Sequence, residues 1–106
     1  MKIYIVKSSI YYCNPDECDS SDVRDKIEIV SEDFNKAWDR LMQVKQTAKI
    51  EYDEYGNESY IIEDYGLCKY GEHNLRDELC SLWWQVWENG IKIENKDILW
   101  TLRKTA

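Results

Sequence analysis

The chain has 106 residues, a mass of 12.7 kDa and a formal charge of −7; this is the length of one domain, so residues 1–106 are read as a single unit. Hydrophobic residues make up 43% and aromatics 13%, enough for a folded core and too much for a disordered chain. An acidic chain lacks the basic surface that neutralises phosphates, which argues against direct binding to nucleic acid or to an anionic membrane.

The opening Met1–Lys7 is apolar and β-branched and predicts a buried strand over 2–7, extending toward Tyr12. Its apolar stretch is too short for a signal peptide, and no apolar run reaches the length of a membrane span, so a cytoplasmic location is expected. Residues 13–25, with Asn14-Pro15-Asp16 and Ser20-Ser21-Asp22, read as a loop. A short strand follows over 26–30. Ser31 is the expected cap of a first helix, with Phe34, Ala37, Trp38, Leu41 and Met42 on its core face.

Residues 49–64 predict a β-hairpin. A three-residue loop Tyr55-Gly56-Asn57 sets Ile50 against Ile62 and Tyr52 against Tyr60 on one apolar face, because register follows the hydrophobic pattern. Beyond a glycine-containing loop, Asn74 is the expected cap of a second helix ending at Gly90. Leu75, Leu79, Leu82, Trp83 and Val86 form its inner stripe, and Cys80, Trp84 and Trp87 widen the apolar arc to about 200°. An arc that wide exceeds what packing on one sheet needs: either strands or the C-terminal tail cover both sides and Trp84 is core, the favoured reading because tryptophan is highly buried on average, or Trp84 is exposed and is a candidate interface anchor. Ile91–Ile93 and Ile98–Leu102 read as two short strands around a Glu94–Asp97 turn, with a last helical turn at 97–103 as the alternative. The expected fold is α+β, an antiparallel sheet with two amphipathic helices in the order ββαββαββ.

The charge is unevenly placed. Residues 1–50 hold 8 basic and 9 acidic side chains, residues 67–106 hold 6 of each, and residues 51–66 hold 6 acidic and no basic ones. Such a run is either a solvated face or a surface for a basic partner. The partner-facing candidates are Glu51, Asp53, Glu54, Tyr55, Glu58, Glu63 and Asp64, together with Trp84.

No phosphate loop, dinucleotide motif or catalytic carboxylate pattern is present, so an enzyme is not expected and no cofactor is assigned. The four cysteines, Cys13, Cys18, Cys68 and Cys80, lack the tight pairs of zinc frameworks. Free thiols are therefore expected, with a thiol or zinc role for Cys68, His73 and Cys80 as the lesser reading.

The stretch Ile50–Tyr65, with the strand Met1–Val6 and Tyr11-Tyr12, resembles antirestriction proteins of the ArdA type. Lysine exceeds arginine 10 to 4, a bias associated with AT-rich genomes, and the short acidic profile is similar in style to anti-CRISPR proteins of phages. The resemblance implies a non-enzymatic inhibitor from a phage or mobile element. In the host cytoplasm it would occupy the basic nucleic-acid groove of a CRISPR effector or restriction complex with its acidic hairpin. A second reading is a protein-binding adaptor that uses exposed tryptophans.

Overall fold

The computed structural model describes residues 1–14, 17–68 and 74–99, with the backbone alone for residues 17–21. The order is β1 (Lys2–Asn14), β2 (Glu17–Ser31), α1 (Phe34–Thr47), β3 (Lys49–Tyr52), β4 (Glu58–Leu67), β5 (Asn74–Glu88) and β6 (Ile91–Asp97). All pairings are antiparallel, in the order β2-β1-β5-β4-β3, with β6 also on β5. Among the described residues the expected two-helix order is thus corrected to ββαββββ, with one helix in place of two.

The main correction is at residues 74–88, where a strand stands in place of a helix. Leu75, Asp77 and Leu79 are buried at alternate positions, and so are Leu82, Trp84 and Val86, but the two sets differ in parity. A bulge joins them: Ser9 pairs with Ser81 while its neighbour Ile10 pairs with Leu79, leaving Cys80 as the extra residue. Two strand phases offset by a bulge give apolar positions 75, 79, 82 and 86, which imitate helical spacing.

β5 is the centre of the sheet. β1 runs along one edge over Glu78–Glu88, and the other edge is divided between β4 at Asn74–Glu78 and β6 at Trp83–Glu88. In the gap, the Leu82 N–H donates to the Asp97 carboxylate at 3.3 Å, so a side chain completes what neither strand reaches. Asn89 (φ 51°) and Gly90 (φ 79°) form the β5–β6 turn, since two consecutive positive φ values fit a tight hairpin. β6 is continuous through Glu94–Asp97, where a turn was expected; of the strand expected at 98–102, Ile98 and Leu99 are helical instead, and the rest lies outside the described residues.

Residues 17–25, expected as a loop, belong to β2. This part lies at the sheet edge, where neither face needs to be apolar, so no alternation marks it. Its pairing with β1 is supported by side chains: Ser9 Oγ donates to Asp25, and Arg24 lies 5.3 Å from the Tyr12 ring centroid while pairing with Asp22. The described residues span 53 × 29 × 20 Å.

α1 is capped by Asp33, not Ser31. The Asp33 carboxylate accepts from the N–H groups of Asn35 and Lys36, and Ser31 Oγ accepts from the Asp33 N–H. Ala37, Leu41 and Val44 bury the helix against Val6, Leu79, Leu82, Trp84 and Val86, with Tyr60 and Leu99 completing the core. Phe34 and Trp38, expected in the core, form its rim at 47% and 38% exposure.

Candidate functional site

The acidic hairpin exists, with a register two residues from the expected one. Ile50 pairs with Tyr60 and Tyr52 with Glu58, leaving the five residues 53–57 as the loop. The three-residue loop would have set Glu54 directly against Glu58, and like charges opposite each other are destabilising. The longer loop instead organises around Asp53. Its carboxylate accepts from the N–H groups of Tyr55 and Asn57, both at 2.8 Å, and from Asn57 Nδ2 at 3.0 Å, while Gly56 takes φ 82°. The bonds from Asn57 hold the Asp53 carboxyl below the ordinary carboxylate range, with those from Tyr55 and Gly56 assisting. Asp53 is therefore committed to the loop and not to a partner.

Three more of the predicted carboxylates have partners inside the chain. Arg76 of β5 pairs with Glu51, 25 residues away in sequence, and lies 3.8 Å from Asp64. Asp64 also accepts from the Gly66 N–H, and Glu58 accepts from Tyr60 Oη. Glu54 and Glu63 are exposed and make no ion pair or hydrogen bond among the described residues. Tyr55 is 82% exposed at the loop tip, and Tyr52, expected on the buried face, is 65% exposed. Tyr60 is buried, and Ile61 replaces Ile50 as a buried residue. Trp84, at 3% exposure, is a core residue and is withdrawn as an interface anchor.

Sheet register gathers acidity that the sequence disperses. Tyr12 pairs with Asp22, Tyr11 with Glu78, and Ile61 with the same Glu78 from the other side. Segments 22–25, 51–64 and 76–78 thereby lie across one half of the sheet, with ten carboxylates against two arginines.

At the same end, Asp77 is buried and accepts from the Cys13 N–H at 3.0 Å and from Tyr65 Oη at 2.7 Å. The bond to Asp77 pushes the Tyr65 phenol up to about 12. Burial pushes the Cys13 thiol up, and Asp77 adds to it.

The expectation of four free thiols is overturned at Cys68, which is buried and disulfide-bonded. A disulfide sulfur is not a thiolate ligand, so Cys68 is not available to zinc in this state. His73 and the Cys18 side chain lie outside the described residues. Cys13 and Cys80 are not in disulfides, and Cys80, the bulge residue, is exposed. Iodoacetamide should modify Cys80 at least about tenfold faster than Cys13 at neutral pH, since Cys80 is exposed while burial and Asp77 hold the Cys13 thiol protonated. Cys68 should label only after reduction. Peptide mass mapping checks this, and equal rates at Cys13 and Cys80 would contradict the Asp77 contact.

Among the described residues no cluster of three metal-ligating side chains is present, and no helix is long and apolar enough to cross a membrane. Comparison of the chain with family models, curated proteins and solved structures gave no match.

Proposed function

We propose that this protein is a non-enzymatic inhibitor of a nucleic-acid-targeting defence complex, a CRISPR effector or a restriction complex. It binds the complex's basic groove through the acidic half of its sheet. The observation that supports this is the register itself, which brings carboxylates from β2, β3, β4 and β5 into one half of the sheet. Unpaired groups on that surface matter most, since a carboxylate already held by Arg76 or by the Asp53 loop offers less to a partner. Glu54 and Glu63 are the leading contacts, with Tyr55 beside Glu54 at the loop tip. The proposed site of action is the cytoplasm of a bacterial host. That compartment keeps thiols reduced, so binding is best measured both with and without reductant.

The test is DNA cleavage by purified restriction and CRISPR complexes in the presence of the protein. Glu54→Lys with Glu63→Lys should weaken inhibition about 10- to 100-fold at low salt, because two attractions become repulsions in a basic groove. Raising the salt should weaken the wild type more than the variant. A double reversal that inhibits as well as the wild type rejects the reading.

The adaptor reading gains one observation. The sheet face opposite α1 carries half-buried Trp83 and Trp87, with Ile27 and Val30 each more than half exposed. Binding that survives both the charge reversal and high salt would favour that face.

A further inference from the structure

The face of the sheet opposite α1 holds a pocket of about 160 Å³ lined by Lys7, Ser9, Asp25, Trp83, Gln85 and Asn95. Register places these residues together: Lys7 is opposite Trp83, Ser9 opposite Asp25, and Gln85 opposite Asn95. The volume holds about five waters, or one small organic molecule.

Two groups in this pocket lack partners. Gln85 is 94% buried, from its 6% exposure. Its Oε1 accepts from Trp87 Nε1 at 3.4 Å, but its amide NH₂ donates to nothing among the described residues. Among the described residues the buried side-chain polar atom without a partner is Arg76 Nε, so the Gln85 amide is open to the pocket and not sealed beneath it. Lys7, half-buried, forms no ion pair among the described residues. Both groups are donors, so together they call for an oxygen acceptor, best an anionic one. Asp25 supplies the opposite requirement. One of its oxygens accepts from Ser9 Oγ, and the other has no partner among the described residues. Trp83, opposite Lys7 on β5, supplies the pocket's apolar lining.

We propose that this pocket binds a free small α-amino acid as its zwitterion. The carboxylate meets Lys7 and the Gln85 amide, the ammonium meets Asp25, and the aliphatic side chain lies on Trp83. The pocket's own charges, one cation and one anion, cancel, so a zwitterion matches both without leaving a net charge. A simple carboxylate leaves Asp25 facing a second anion, and a simple amine leaves Lys7 facing a second cation.

Three probes separate these cases by calorimetry: L-valine, 3-methylbutanoate, which lacks the amine, and isobutylamine, which lacks the carboxylate. L-Valine should saturate with a Kd of about 1 mM, with each half-molecule at least about tenfold weaker. Lys7→Met and Gln85→Leu should each lower valine affinity about tenfold or more, since each removes a charged or buried donor. Asp25→Asn, at an exposed position that leaves the core untouched, should weaken valine while leaving 3-methylbutanoate unchanged or tighter. The proposal fails if valine does not saturate, if either half-molecule binds as well as valine, or if Asp25→Asn binds valine like the wild type.

Discussion

Trp84→Ala is expected to lower the unfolding free energy by about 3–5 kcal/mol, the range for removing a large buried aromatic side chain. A domain of this size is stable by only about 5–15 kcal/mol, so the variant should lie near the threshold of folding. Trp84 is 3% exposed, and its indole touches Tyr4, Phe34 and Trp38 at centroid distances of 5.6, 5.5 and 5.3 Å. The contacts to Phe34 and Trp38 are edge-to-face, the geometry that the ring quadrupole favours. It therefore joins β1, β5 and α1 at one point. Trp38 stacks on Phe34 at the rim and is 38% exposed, so Trp38→Ala should cost less than half as much. Urea unfolding followed by far-UV circular dichroism measures both. Equal costs would mean that the helix does not pack on the sheet through Trp84. Any loss of inhibition in Trp84→Ala would then follow from lost fold, which the denaturation midpoint reveals.

What the sequence made legible depended on how local each determinant was. The first helix and the 49–64 hairpin follow from short-range pattern, and both are present with shifted ends. The β5 strand was hidden because the Cys80 bulge changes the parity of the buried positions, and mixed parity looks like helical spacing. Two signals pointed the other way: an apolar arc of about 200°, too wide for a surface helix, and Asn89-Gly90, which is a stronger hairpin signal than a helix stop. The tryptophans at 83, 84 and 87 also suit a strand better than a helix.

The acidic site was half legible for a similar reason. The charge run at 51–66 stands out in one dimension, but its neutralisation by Arg76 and its extension by Asp22, Asp77 and Glu78 depend on strand pairing. Asp53 looked like one more exposed carboxylate because its role depends on the loop register. Gln85 carried no signal, since a glutamine in an apolar run shows its significance only once its burial and empty amide are known.

The second large effect is expected at the junction of α1 with the sheet edge. Between Val6 and Lys7 the pairing of β1 with β2 slips, and Glu28 is the additional residue between Ile27 and Ile29. The bulge turns its side chain inward, to 4% exposure, where the carboxylate accepts from Ser8 Oγ and from Arg40 Nη2 of α1, both at 2.8 Å. Lys26 lies 3.9 Å away. Arg40→Ala removes the close cation and leaves a buried carboxylate with one hydroxyl and a distant ammonium. Breaking a buried pair costs about 3–5 kcal/mol, but Arg40 is 39% exposed and Lys26 remains, so about 2–3 kcal/mol is expected here. Glu28→Gln in the Arg40→Ala background should restore part of this, since a neutral amide needs no counter-charge. A double-mutant cycle read by urea unfolding should then give a coupling of about 1–3 kcal/mol. A coupling within error of zero would show that Glu28 is solvated and that α1 is held to the edge by apolar contacts alone.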